Sequence, residues 1–354
     1  MQQVHDLMKR AVAEKVFPGG VLLVSKGDTV LFFRAYGKAN IFTGRAMAKD
    51  TVFDLASLTK PLATTLAVMK LMETGHLDLD QAIGSYLPGL KGTDKEAIEI
   101  QHLLYHNSGL PDYRPYFKAL CKLPFVMREA RLRAFLIREP LESCIGDQVR
   151  YSDLGFMLMH WIIEDVSRMH LDRFVDETIY KPLGLSDLFF INQRIGPPQK
   201  PYAATEKCPW RNQILEGGVH DDNAYVIGGI AGHAGLFGTA ADLNVLTREL
   251  LCVYHGQSST VFRPPLLRKF FKPLYNKERA LGFDTPSTRG SSAGKYFSRK
   301  SVGHLGFTGT SFWMDLERRI IVILLTNRVH PSRDNDLIKA FRPLLHDAVM
   351  AHLL

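Results

Sequence analysis

GVLLVSKGDTVLFFRAYG (residues 20–37) holds two apolar runs split by Gly27-Asp28. Val- and Phe-rich runs bounded by a Gly-Asp turn read as a β-hairpin. GFTGTSFWMDLERRIIVILLTN (residues 306–327) repeats the pattern near the other end of the chain. Its most apolar run, Ile320 to Leu325, falls well short of the ~20 residues of a membrane span and suits a buried strand. Residues 1–16 have apolar residues at helical spacing, ended by Pro18-Gly19-Gly20, and a second helix from about Asp334 to Leu354 closes the chain. Most of the intervening sequence is helical pattern broken by Pro and Gly. Strands at both ends and helices between predict an α+β fold. One antiparallel sheet, built from both termini, is flanked by helices, and a mostly helical lobe is inserted into it. On this reading residues 1–354 form a single catalytic unit. Residues 1–84 and 225–354 make the sheet lobe, and residues 85–224 make the helical lobe.

Composition sets the outer bounds. The 354 residues are 46% hydrophobic and 23% charged, which excludes a disordered, fibrous or collagen-like chain. A net charge of +8 permits an anionic partner without requiring one. Arg114, Lys118, Lys122, Arg128, Arg131, Arg133 and Arg138 concentrate part of it. A solvated face is the ordinary reading, with weak contact to an anionic cell-wall or lipid surface as the alternative. No nucleic-acid-binding module is recognisable. Cys121, Cys144, Cys208 and Cys252 lie far apart and read as buried thiols in a reducing compartment. The charged first twenty residues lack the apolar centre of a signal peptide, so the expected location is cytoplasmic.

Two serines compete as nucleophile. Ser57, in DLASLTK (residues 54–60), precedes the helical run KPLATTLAVMKLMETGHLDL. Residues three apart on a helix share a face, so Lys60 would stand beside Ser57, close enough to take or steer its proton. The helix N-terminus adds a positive dipole end, and a serine hydroxyl needs such activation. Ser292, in Gly290-Ser-Ser292-Ala-Gly294, matches G-x-S-x-G and also has Lys295 three residues on. A nucleophile elbow needs a strand before it and a helix after it. Neither flanks Ser292, and TPSTRGSSAG (residues 285–294) reads as a flexible loop.

Ser-x-x-Lys alone is a weak signal, but here it has companions. Tyr151-Ser152-Asp153 precedes the helical run LGFMLMHWIIEDV, and His304-Leu305-Gly306 opens the strand-like segment GFTGTSFWMDL. This ordered triplet resembles that of the serine β-lactamase and DD-peptidase superfamily, and its spacing resembles the class C branch and its esterase relatives. YHNSGLP (residues 105–111), GIAGHAGLFGTAADL (residues 229–243) and GHLGFTGT (residues 303–310) extend the resemblance over about residues 5–350. It implies a β-lactamase/transpeptidase-like α/β sandwich. It also implies that Ser57 attacks an acyl carbon to form an acyl-enzyme, with Lys60 assisting proton removal. Tyr151 would be general base or proton relay, and the backbone N–H groups of Ser57 and Phe307, the latter on the strand edge, would form the oxyanion hole. His304, Gly306 and Asp153 would line the substrate. No cofactor and no metal are implied.

Two departures from the family pattern shape the functional expectation. Asp153 replaces an asparagine, and a carboxylate beside Lys60 holds it protonated and opposes ionisation of Tyr151. His304-Leu305-Gly306 replaces Lys-Thr-Gly, whose lysine and threonine bind a substrate carboxylate. Histidine is mostly neutral at pH 7 and leucine has no hydroxyl. The expectation is therefore an esterase, amidase or peptidase-like serine hydrolase acting on a small-molecule or peptide acyl substrate. A DD-peptidase or β-lactamase activity, or a non-catalytic binding protein on the same fold, are the alternatives. His220, Asp221, Asp222 and His233 lack a metal-site pattern and read as a loop wall near the site. Oligomeric state is left open.

Overall fold

The structure is a computed structural model that describes residues 1–274 and 278–354. Its main sheet has seven strands, β1 (Gly19–Lys26), β2 (Thr29–Gly37), β3 (Arg279–Ala280), β4 (Phe283–Asp284), β5 (Val302–Leu305), β6 (Ser311–Asp315) and β7 (Ile320–Thr326). They run in the order β2-β1-β7-β6-β5-β4-β3, every pair antiparallel. The first hairpin thus docks directly on the last strand, as Gly20 opposite Thr326 and Lys26 opposite Ile320 show. This is the α+β sheet expected from the strand-rich ends.

Both faces of β1 and β7 are buried, which is why their sequences run apolar instead of alternating. Leu22, Val24, Val322 and Leu324 pack under two helices, α1 (Gln2–Ala13) and α5 (Ile338–Leu353). Val21, Leu23, Ile321 and Ile323 face the opposite layer, where α4 (Ala240–Tyr254) contributes Leu243, Leu246 and Leu250. Two more helices matter for the site, α2 (Leu66–Glu73) and α3 (Asp153–Ser167). A small second sheet joins Phe53–Asp54 and Leu236–Gly238, from the segments expected in the sheet lobe, to Leu188–Phe190 of the inserted segment.

Three boundaries differ from the sequence reading. The helix after Ser57 stops at Glu73, where Gly75 at φ +75° lets its N–H reach the Met72 carbonyl and the His76 N–H reach that of Leu71. The last helix starts at Ile338, because Arg328 Nη1 draws the carbonyls of Arg333 and Asn335 to itself at 3.0 and 2.6 Å. His304 and Leu305 do not open the strand that continues through Phe312. They end β5, and residues 306–310 reverse the chain into β6. The thiol expectation also changes: Cys208 is buried, but Cys121 and Cys252 are half-buried and Cys144 is exposed, all four unpaired. No helix among the described residues is long and apolar enough to cross a membrane.

Candidate active site

Ser57 lies in a 3₁₀ turn, Ala56–Leu58, that leads through Lys60–Thr65 into α2. Its amide falls in the first helical turn, where no intrahelical partner exists. Ala56 sits at φ +47°, a left-handed conformation costly for a residue with a Cβ. Neighbours hold it there. Asp54 Oδ1 accepts from the Ala56 amide at 2.8 Å, Thr59 Oγ1 donates to the Ala56 carbonyl at 2.6 Å, and Thr310 Oγ1 donates to the Leu55 carbonyl at 3.0 Å. Thr308 Oγ1 donates to the Asp54 carbonyl at 2.7 Å, which ties the 306–310 turn to the nucleophile turn.

Lys60 is buried, and its ammonium donates to Ser57 Oγ at 3.0 Å and to the His233 carbonyl at 3.0 Å. Asp153 Oδ1 stands 2.7 Å from the same nitrogen, and the Tyr151 ring centroid is 4.8 Å away. Burial works to lower the Lys60 pKa, but Asp153 and Tyr151 override it and hold the ammonium above the ordinary lysine value. Burial pushes the Tyr151 phenol up; Lys60 opposes that, Asp153 reinforces it, and the phenol stays above its ordinary value. At rest the cluster therefore holds an ammonium, a carboxylate and a neutral phenol, as the Asp153 substitution led one to expect.

Other groups fix this geometry from outside the motifs. His106 has its ring 4.7 Å from Tyr151 and accepts from the Ser152 amide through Nδ1 at 3.0 Å. Burial drives its pKa well down, so it is a neutral acceptor. Ser152 Oγ caps α3 by accepting from the Gly155 amide. His304 is buried, and burial lowers its pKa to about 4, so this position carries no charge at neutral pH. Phe307 is in the turn beyond β5, not on the strand edge, and its ring is half exposed between the His220 ring and the Arg328 guanidinium. Its amide has no protein acceptor among the described residues.

Ser57 is bordered by two cavities. One, of about 400 Å³, is walled by Tyr113, Asp153, His220, Asp221 and His233, so the histidine-aspartate stretch does form a loop wall at the site. There Asp221 accepts from or pairs with His233 Nε2 at 3.0 Å, steadying the loop whose carbonyl holds Lys60. The other, of about 580 Å³, touches Ser57, Tyr151, His304, Gly306 and Phe307. Five cationic side chains line it, Arg279, Arg328, Arg333, Lys339 and Arg342, against the carboxylates Asp284, Asp334 and Asp336. Arg328 and Arg342 are buried and donate to the Phe307, Gly306 and Thr310 carbonyls. The expected weakness for a carboxylate, argued from His304 and Leu305 alone, left out these arginines. They come from β3, from the end of β7 and from α5, and no motif marks them. Ser292 lies apart from Ser57's cavities, in a segment that is neither strand nor helix.

A family profile described as Beta-lactamase matches residues 4–345. "N-acetylmuramyl-L-alanine amidase" of Bacillus subtilis (strain 168) is 30% identical, covering 93% of this chain and 81% of that protein. "Putative D-alanyl-D-alanine carboxypeptidase" of Escherichia coli (strain K12) is 31% identical, covering 91% of this chain and 82% of the other. Among solved structures, "EstCE1, a hydrolase with promiscuous acyltransferase activity" superposes with a TM-score of 0.75 at 22% identity, over 98% of each chain.

Proposed function

This chain belongs to the beta-lactamase family and is a hydrolase of that family, and on that premise we propose that residues 1–354 act as one catalytic unit with Ser57 as nucleophile. In molecules whose Lys60–Tyr151 pair has given up one proton to solvent, Ser57 Oγ attacks the acyl carbon and passes its own proton to that pair. The pair returns a proton to the leaving group, and water then releases the acyl group by the same route. The Ser57 and Phe307 amides receive the charge that develops on the acyl oxygen, a contribution of a few kcal/mol in comparable sites. His304, Gly306 and Asp153 line the substrate, which is a small molecule or a peptide. The carrying observation is the 3.0 Å contact of the buried Lys60 Nζ with the half-buried Ser57 Oγ. A fluorophosphonate probe is expected to label the wild type and Ser292→Ala but not Ser57→Ala. Undiminished labelling of Ser57→Ala removes the assignment, and loss in Ser292→Ala restores the elbow reading.

The arginine-lined cavity supports a second, narrower reading, a carboxypeptidase-like preference for a substrate carboxylate next to the scissile bond. Among the described residues neither Arg328 nor Arg342 forms an ion pair, and both line the cavity, so an anion there would meet two buried guanidinium groups with Asp336 the nearby carboxylate acting on Arg328. Paired acyl-D-alanyl-D-alanine substrates, one ending in a carboxylate and one in an amide, decide it. The free acid is expected to show roughly tenfold or greater kcat/KM, since a charge-assisted hydrogen bond contributes about 1.5–3 kcal/mol. Equal turnover returns the reading to a neutral ester or amide.

The basic segment plays no part in this chemistry. Arg114 is tied to Glu139 and Glu142, Arg133 to Glu129, and Arg128 to main-chain carbonyls, while Lys118, Lys122, Arg131 and Arg138 pair with no carboxylate among the described residues, which supports a solvated face with weak anionic contact. The four free thiols support a reducing, cytoplasmic setting.

A further inference from the structure

Gly306 and Phe307 share one peptide unit, and its two ends face different partners. The Phe307 amide is one of the two acyl-oxygen donors in the reading above, and it has no protein acceptor among the described residues. The Gly306 carbonyl points the opposite way from the same trans peptide. It accepts from the Gly309 amide at 3.0 Å and from Arg342 Nη2 at 3.3 Å. A carbonyl that accepts two hydrogen bonds, one of them from a charged donor, draws electron density from its own N–H and makes that N–H the stronger donor.

Arg342 reaches this point from α5 and straps the whole turn. The same Nη2 donates to the Thr310 carbonyl at 3.0 Å, which also accepts from the Gly306 amide at 2.7 Å. Both ends of residues 306–310 thus hang on one guanidinium. Arg328 holds the next peptide unit, its Nε donating to the Phe307 carbonyl at 2.8 Å.

This charge is costly to bury. Arg342 is 6% exposed, its Nε has no hydrogen-bond partner, and it forms no ion pair among the described residues. Burial, with the Arg328 charge adding to it, lowers its pKa to about 10, which leaves it charged at neutral pH. A buried charge without a counter-charge destabilises a fold, and an apolar side chain of similar volume fills such a place at no loss. Folding alone therefore gives no account of an arginine here. A negative charge forming on the acyl oxygen, just beyond the Phe307 N–H, supplies the missing counter-charge, and does so only while the tetrahedral intermediate lasts.

We propose that Arg342 is a positioning residue for the oxyanion hole, acting through the Gly306–Phe307 peptide to hold and polarise the Phe307 amide. The role goes beyond recognition of a substrate carboxylate, because it serves a neutral substrate equally. It rests on the reading of Ser57 as nucleophile with the Phe307 amide beside the acyl oxygen.

Turnover of p-nitrophenyl acetate, which has no carboxylate, is measured beside inhibition by phenylboronic acid, whose serine adduct is an anionic tetrahedral mimic. Arg342→Met is expected to lower kcat and kcat/KM equally, by about tenfold, the pattern of an interaction made only in the transition state. Loss of an oxyanion donor outright costs roughly a hundredfold or more. Affinity for the boronic acid is expected to fall by the same factor as kcat. Arg342→Gln keeps a donor without the charge and should resemble Arg342→Met, whereas Arg342→Lys keeps the charge and should recover most of the rate. A strap that is merely structural would not separate these two variants by charge. Should Arg342→Met fail to fold, as urea midpoints would show, the comparison of Arg342→Gln with Arg342→Lys carries the test. Unchanged turnover of the neutral ester, a loss confined to KM, unchanged boronic acid affinity, or Arg342→Gln as active as Arg342→Lys overturns the proposal. So does a loss seen only with a substrate that bears a carboxylate. Fluorophosphonate labelling of the same preparations keeps the two readings apart: a wild type that fails to label at Ser57 removes the nucleophile, and labelling beside any of these results removes Arg342 alone.

Discussion

Asp153 stands 2.7 Å from the Lys60 ammonium, and its charge governs both candidate bases. Lys60 accepts a proton only when neutral, and its pKa is held up because Asp153 and Tyr151 outweigh burial. Tyr151 accepts one only as phenolate, and burial, with Asp153 adding to it, holds that pKa up as well. Removing the carboxylate leaves only Tyr151 to oppose burial at Lys60, which lowers the Lys60 pKa, and takes away one raising influence from Tyr151. Both shifts have the same sign. In Asp153→Asn the rising limb of the kcat/KM–pH profile is therefore expected to move to lower pH by about one to three units, the usual effect of a charge at this separation. A pH–rate series on a neutral aryl ester measures it. A limb that stays in place or moves upward would show that Asp153 does not set the acid–base pair. His304 is no rival in this window, because burial has already taken its pKa to about 4.

Elements show where sequence patterns suffice and where they stop. The two terminal hairpins were legible because β1 and β7 are apolar over most of their length and the first hairpin turns at Gly27-Asp28. Ser57 and Lys60 were legible because a spacing of three on a helix start fixes a contact, and the two atoms do meet at 3.0 Å. His304 was placed in the right neighbourhood but the wrong part of its hairpin. Residues 306–310 carry Phe307, Thr308 and Thr310, residue types that favour strands, yet Thr308 and Thr310 spend their hydroxyls on the Asp54 and Leu55 carbonyls. The strained Ala56 was invisible, since nothing local to an alanine predicts φ +47°; Asp54, Thr59 and the β5–β6 turn impose it together. The arginines were equally hidden. Arg279, Arg328 and Arg342 lie on three elements that only the sheet order and the docking of α5 bring to one cavity.

At the scale of the whole molecule, buried neutral histidines connect folding to pH. His304 on β5 and His346 on α5 are both buried, and burial lowers each to about 4 from an ordinary 6.5. His106, in the helical part, is held well below its ordinary value by the same cause. The folded state thus keeps these rings neutral while the unfolded chain protonates them below pH 6.5. Their contribution to stability is complete above that value and is lost as pH falls toward the folded pKa near 4. For His304 and His346 the loss is roughly 3 kcal/mol each once pH reaches 4, a large share of the 5–15 kcal/mol typical of a folded domain. Two carboxyls oppose the loss in part: burial raises Asp54 and Asp242, so each gains stability as it protonates on acidification. Glu164 and Glu206 are held at about 2, burial being outweighed by their histidine and arginine partners, so their share is lost only below the ordinary carboxylate value. Urea midpoints measured from pH 7 to pH 4.5 are expected to fall steeply, because the acid limb acts on the sheet and on the helix covering it together. His346→Gln removes one titrating ring while keeping a donor for the Ser292 carbonyl, which His346 Nδ1 reaches at 2.7 Å. Its profile should be the flatter of the two. Midpoints that hold level across this range in the wild type would mean that these rings already carry their proton in the folded protein.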